Sequence, residues 1–226
     1  PATLFDVDKQ YTVSLSLFNP QRGFEVEGAS TAPQKGEFPL APGKVQSDSE
    51  LFYIPGFAYQ RNLSDKLAFN VSVYGNGGMN TDYSEPVFGA GRTGVDLNQL
   101  FINTAFAYKL SAQTQLGVAP IFAAQSFEAT GVAGFADMSQ DASKLSNNGH
   151  DTVYGYGVRV GIRQKLNDTF ALGASYQSTI NFDAFEKYSG LFAENGDMDI
   201  PSSYNLGVAY DDGQITLALD YQKINY

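Results

Sequence analysis

Residues 150–180 read HDTVYGYGVRVGIRQKLNDTFALGASYQSTI. Tyr154, Tyr156, Val158, Val160 and Ile162 take every second position, with Val153, Gly155, Gly157, Arg159, Gly161 and Arg163 between them. After the turn residues Asn167-Asp168 the alternation resumes. Phe170, Leu172, Ala174 and Tyr176 lie on one face, and Ala171, Gly173, Ser175 and Gln177 on the other. Successive side chains of a strand point to opposite faces, so this is a β-hairpin with one apolar side and one small or polar side. A soluble sandwich turns its apolar side to a core and dresses the other in Lys, Glu and Thr. Here the second face is Gly, Ser, Gln and Arg, which suits a crowded polar interior. A membrane barrel, apolar outward and polar inward, fits this hairpin better than a sandwich.

The same period runs through the chain. Tyr11, Val13, Leu15 and Leu17 alternate in a first strand expected over 10–29, followed by a long loop to about Asp48. The second strand is expected from Leu51 to Arg61, with a tight turn at Asn62 to Asp65. The third carries Leu67, Phe69, Val71 and Val73 and is expected to dissolve into YGNGGMNTDY, Tyr74 to Tyr83. The fourth runs from Asp96 to Leu110, and a turn at Ser111 to Thr114 leads to the fifth, with Leu116, Val118, Pro120 and Phe122. The hairpin supplies the sixth and seventh. Tyr204 to Tyr210 and Ile215 to Tyr221 form the eighth and ninth, around Asp211-Asp212-Gly213.

Connections therefore alternate long and short throughout. Outer-membrane barrels have short periplasmic turns and long extracellular loops, whereas Greek-key crossings impose no such rhythm. The fold expected is all-β, an antiparallel transmembrane β-barrel whose odd strands run outward. Tyr74, Tyr154 and Tyr204 fall where an outer aromatic girdle would lie. Pro120 removes one ladder donor inside its strand, which counts against the register there.

Composition agrees. The 226 residues include 23 Gly and 14% aromatics, with no Trp and no Cys. No apolar run reaches the ~18 residues of a transmembrane helix, which leaves a β-barrel open. A net charge of −10 excludes a phosphate-binding footprint, so no nucleic-acid partner is expected. The chain starts at Pro1 with neither Met nor signal peptide, and a preceding segment is expected to have been removed.

Two long loops carry helix-like spacing. Val132, Phe135, Met138, Ala142 and Leu145 recur at threes and fours, as do Phe185, Tyr188, Leu191 and Phe192, with Asp183 as N-cap and Gly196 as stop. Loops that only shield a pore would be polar. Short helices with apolar faces are expected, forming a capture groove from Phe135, Met138, Phe185, Tyr188 and Phe192, with Phe127, Val132 and Leu191 also contacting substrate.

Other motifs carry less. Residues 89–94, GAGRTG, fit G-x-G-x-x-G but lack the strand-and-helix setting of a dinucleotide site. His150 is the lone histidine, so neither a metal centre nor a catalytic triad is expected. Glu194, Asp197 and Asp199 read as a solvated acidic loop. No cofactor, metal or enzymatic activity is expected. Gly75, Gly77 and Gly78 interrupt the third strand; they fit either a plain Gly-rich loop or a bulge that opens the wall. Arg159 and Arg163 face inward, either pairing with carboxylates there or, for Arg159, anchoring a substrate carboxylate.

SLFNPQRGFEV (Ser16 to Val26), FYIPGFAY (Phe52 to Tyr59), VYGNGGMNTDY (Val73 to Tyr83), LGVAPIFAAQSF (Leu116 to Phe127), the Asn148 to Gly161 run and YSGLFAENGDMDIP (Tyr188 to Pro201) occur in order along the chain. In these stretches it resembles the FadL-type outer-membrane transporters of long-chain fatty acids and other hydrophobic compounds, aromatic hydrocarbons among them. The resemblance implies a fourteen-stranded barrel with a hatch, of which about nine strands and the hatch's end, residues 1–9, are present as one incomplete domain. It implies a lateral gate at Gly75, Asn76, Gly77 and Gly78. The expected function is passive uptake of long-chain fatty acids or other hydrophobic compounds, with release sideways into the membrane. Outer-membrane lipid and lipopolysaccharide would surround a monomer. A general diffusion porin or structural outer-membrane barrel is the main alternative, with a barrel-form lipase and a soluble binding module as further rivals.

Overall fold

The computed structural model describes residues 1–28, 40–88 and 91–226. Nine strands form one antiparallel meander: β1 (Lys9–Phe18), β2 (Phe52–Asn62), β3 (Leu67–Tyr83), β4 (Thr93–Lys109), β5 (Thr114–Thr130), β6 (Asp151–Lys165), β7 (Phe170–Gln177), β8 (Ser203–Asp211) and β9 (Thr216–Ile224). Each pairs with its sequence neighbours, and β1 and β9 are the sheet edges. The expected alternation of connections is present throughout.

The four short turns share one device. Ser64, Ser111, Asn167 and Asp212 each turn a side-chain oxygen back onto the N–H groups two and three residues on. Such side chains mimic a backbone turn and satisfy amides that the ladder cannot reach.

The outer face is apolar. Tyr156, Val158, Val160, Leu172, Leu206, Leu217 and Leu219 all stand exposed, Leu219 at 72%. Aromatic pairs mark its two ends. Tyr11–Tyr59, Phe69–Phe106 and Phe170–Tyr210 lie toward the short turns, and Phe122–Tyr154 and Tyr176–Tyr204 toward the long loops. A continuous exposed apolar face between aromatic belts is what a bilayer solvates.

The inner face is occupied and mixes small and polar groups with a buried apolar cluster of Phe101, Ile121, Ala123 and Ile180, so it is less polar than the sequence pattern led one to expect. Pro1 and Ala2 lie against Gly117 and Gly161, where a Cβ at 117 would come within 2.5 Å of the Pro1 backbone. Asp6 accepts from Arg163 Nη1 at 2.8 Å, and Lys109 Nζ sits 4.3 Å from the Phe5 ring centroid. The N-terminal residues thus span the inner face before β1 begins.

Several expectations need correction. The first strand ends at Phe18, just before Pro20, whose ring removes a donor. Gly23–Val26 instead pairs with Gly43–Gln46 as a separate ribbon, and Ala29 lies outside the described residues. The third strand does not dissolve: β3 stays paired with β4 as far as Tyr83↔Thr93, with one bulge between Gly75 and Gly77. Tyr74 faces inward, accepting from Asn103 Nδ2 at 2.7 Å and packing on Phe101. Pro120 leaves the register intact. The β4–β5 ladder lapses between Asn103↔Ile121 and Phe106↔Val118 and resumes without a shift. In the loops, the expected helices are short 3-10 turns: Ala133–Met138, Ala142–Lys144, Glu186–Tyr188 and Ala193–Asn195. Asp183 caps none of them, while Gly196 does end its turn, at φ +106°. Segments this short gain too few hydrogen bonds to propagate an α-helix.

Candidate functional site

β3 parts company with β2 halfway up the wall. The two pair from Asn62↔Ala68 to Gly56↔Tyr74 and no further. Above that, Phe52 to Pro55 remain paired with β1, and Gly75 to Tyr83 with β4. The bulged residue is Asn76, and it lets β3 bend away while its other edge keeps its ladder. Bulges do this by leaving one residue unpaired and increasing the local bend.

An opening results, and a cavity of about 630 Å³ runs into it. Gly75, Asn76, Gly77 and Gly78 all line it on one side, and Phe52, Tyr53, Ile54 and Pro55 on the other. Its apolar surface comes from Phe18, Phe52, Ile54, Met79, Leu97 and Leu100. Polar groups rim it. Asn76 Nδ2 donates to Gln99 Oε1 at 3.3 Å, and Asn80 Nδ2 to Asp96 Oδ1 at 2.9 Å. Both amides bond other side chains; backbone released from a ladder must find other partners where no water reaches, and the Asn80 carbonyl finds one in Arg22 Nη1. The outer end is tied shut. Asp48 N donates to the Asp82 carbonyl, and Arg92 pairs with both carboxylates.

Directly outward of this cavity sits a closed aromatic cluster. Phe127 packs on Phe185, Tyr188 and Phe192 at centroid distances of 5.6, 5.0 and 4.8 Å. Leu97 belongs both to this cluster and to the cavity lining. Phe185 and Tyr188 are 0% exposed, and Val132 and Leu191 pack against the cluster. The Tyr188 hydroxyl donates to the Gly149 carbonyl at 2.9 Å, and burial pushes its pKa up. Two glycines on β6 admit the loop. A Cβ at Gly157 would lie 2.8 Å from Ile180, and one at Gly155 2.7 Å from Phe182. The strand Asn181–Phe182 thereby continues along β6 inside the wall.

The expected groove is therefore not assembled as read from sequence. Phe185, Tyr188 and Phe192 meet one another and Phe127. Phe135 lies against Phe88 instead, and Met138 is 66% exposed. Helical spacing brought five residues to one face on paper; with 3-10 turns in place of helices, that face does not form. Arg159 and Arg163 do face inward, with Arg163 on Asp6 and Arg159 donating to Gln177 Oε1. Arg22, to which the sequence reading gives no role, lines the cavity. Its signal is weak, being one cation in the loop after an Asn-Pro.

No group of three or more His, Cys, Asp or Glu among the described residues is arranged to hold a metal ion. His150 lies between Asp96 and Glu128, 3.0 Å from each, on the outer side of the wall. Of GAGRTG, Gly89 and Ala90 lie outside the described residues, and Thr93-Gly94 begin β4.

A lipid-facing antiparallel wall with aromatic belts, an occupied interior and a side opening defines a protein of the transmembrane β-barrel class. The chain belongs to the outer membrane protein transport protein (OMPP1/FadL/TodX) family, whose profile matches residues 1–222. It is a protein of the bacterial outer membrane. Among solved structures it is similar to the toluene transporter TbuX of Ralstonia pickettii, with TM-score 0.68 and 15% identity over 99% of this chain and 65% of that one. The toluene transporter TodX of P. putida gives 0.66 and 17%, over 98% and 63%. A Pseudomonas aeruginosa FadL homologue gives 0.57 and 15%, over 95% and 58%. The likeness is one of fold, and the chain spans less than two thirds of each structure. No curated protein matches it in sequence.

Proposed function

We propose that the protein is a passive channel for hydrophobic compounds, which leave the barrel sideways between β2 and β3. The observation that carries this reading is the parting of those strands above Gly56↔Tyr74, with an apolar cavity running into the gap. Each CH₂ kept out of water is worth about 0.8 kcal/mol, so a hydrophobic solute gains by passing from cavity to lipid without entering the periplasm. Gly75, Asn76, Gly77 and Gly78 act as the gate. They hold the edge of β3 open and leave no side chain larger than an amide in the way.

Substrate reaches the cavity past the Phe127, Phe185, Tyr188 and Phe192 cluster, with Leu97 as the shared wall. Val132 and Leu191 support that cluster, while Phe135 and exposed Met138 offer apolar surface further out. Substrates would include long-chain fatty acids and small aromatic hydrocarbons. TbuX and TodX are toluene transporters, which supports the second class. A general porin is disfavoured because the described inner face is filled by residues 1–6 and by the 178–182 segment.

Filling the opening tests the proposal. Gly75→Phe places a ring against Ile54, whose Cγ2 lies 3.1 Å from the position of a Cβ at 75. Uptake of a hydrophobic solute should fall strongly, with Gly75→Ala intermediate. Parental uptake by a folded Gly75→Phe protein would count against a sideways exit.

A further inference from the structure

Arg22 closes the outer end of the opening. Its Nη1 donates to the Asn80 carbonyl on β3 and its Nη2 to the Ser49 carbonyl just before β2. The guanidinium carbon lies 5.1 Å from the Phe52 ring centroid. Among the described residues no carboxylate comes within ion-pair distance of Arg22. Two acids near its end of the opening, Asp48 and Asp82, are both engaged by Arg92. Its Nε is buried and has no hydrogen-bond partner.

The contrast with Arg163, which does have an acid to hand, is direct. Arg163 is neutralised by Asp6. Arg22 is half-buried and held by neutral carbonyls and an aromatic face at the edge of a cavity whose other lining groups are apolar or uncharged. A partly desolvated charge without a counter-charge is costly to keep, and a guanidinium has five N–H donors matched to carboxylate geometry. The apolar body of a ligand would lie along Phe52, Ile54 and Met79, with its anionic end at the guanidinium.

We propose that Arg22 is a specificity-determining residue that binds the carboxylate of an alkyl or aryl acid as it passes the opening. The proposal rests on the sideways route of the preceding section. It favours amphiphilic acids over neutral molecules of equal length, and it moves the carboxylate contact from Arg159, deep on the inner face, to the rim of the exit.

The test uses the full-length protein in vesicles of zwitterionic phosphatidylcholine, free of anionic lipid. Transfer of a long-chain carboxylic acid is compared with that of the primary alcohol of the same chain length, at about pH 8 where the acid is ionised. In Arg22→Gln the acid-to-alcohol rate ratio should fall about tenfold, the scale of one charge-assisted hydrogen bond. Arg22→Lys, which keeps the charge but loses the fork, should fall between. An unchanged ratio, including equal loss of both rates, overturns the proposal and leaves Arg22 a prop of the opening. So does a ratio that responds to Arg22 only after lipid A is added, since the anion bound would then be a lipid phosphate. Failure of the sideways route reads out separately, as an alcohol rate indifferent to Gly75→Phe.

Discussion

The seam between β5 and β6 and the seam between β2 and β3 both cross glycine-rich strand, yet only one opens. β5 and β6 keep register from Thr114↔Gln164 to Phe127↔Asp151. β2 and β3 stop at Gly56↔Tyr74. On β6 the space left by Gly155 and Gly157 is taken by Phe182 and Ile180. On β3 the space beside Gly75 meets the tip of Ile54 at 3.1 Å and the Gln99 carbonyl only at 3.9 Å, and the cavity lies beyond. Glycine in a strand is room, and what moves into that room decides whether the wall closes or opens.

Breaking the closed side should have the largest effect on stability. Val160, at mid-height of β6 on the outer face, should cost about 2–4 kcal/mol when replaced by Arg, because the charge would face hydrocarbon. Refolding in detergent or bilayer against denaturant measures it, and parental stability would remove the lipid-facing assignment. Next comes Gly157→Val, expected to cost about 1–3 kcal/mol as the side chain meets Ile180 and the Thr179 carbonyl. Gly75→Ala on the open side should cost less than this, since only the movable Cγ2 of Ile54 must yield. Equal losses at both sites would erase the contrast.

Smaller effects sharpen it. The closed seam continues through the Asn167 turn into β7, and Asn167→Ala should cost about 1 kcal/mol by orphaning the Thr169 and Phe170 amides. The loop that fills the β6 glycines is pinned by Asp199, whose Oδ1 accepts from Phe182 N at 2.7 Å. Burial, with Asp197 and Glu194 nearby, raises its carboxyl pKa. A raised folded pKa means the folded loop holds the proton more tightly than the unfolded chain. Its stability therefore falls as pH rises from the unfolded value of about 3.9 through the raised folded value. Asp199→Asn should flatten that dependence while keeping the acceptor, as read by protease nicking of 181–203 across the acidic range. An unaltered pH profile would detach Asp199 from the loop's stability.

Period-two alternation made the wall legible, down to which side of Val160, Leu172 and Leu219 meets lipid. The turns were legible too, because Ser64, Ser111, Asn167 and Asp212 act on their own neighbours. The opening was half legible. Gly75, Gly77 and Gly78 marked the place, but the third strand's survival to Tyr83 depends on β4, which no local pattern records. The loop cluster was misread for a related reason. Threes-and-fours spacing suggested helices, whereas Phe185 and Tyr188 pack on Phe127 of β5, and the Ile180 and Phe182 that precede them fit against glycines of β6. Arg22 escaped notice because its setting, without an ion-pair partner among the described residues, is a property of the fold.

The sideways exit is tested most directly by sewing the opening shut. The chain has no cysteine, so Ile54→Cys with Gly75→Cys introduces one defined pair. The 3.1 Å approach of Ile54 Cγ2 to a Cβ at 75 puts the two sulfurs within bonding range. Uptake of a hydrophobic solute should stop when the pair is oxidised and return on reduction, with the barrel folded in both states. Parental uptake by the fully cross-linked protein would contradict the account and send the substrate inward, past residues 1–8.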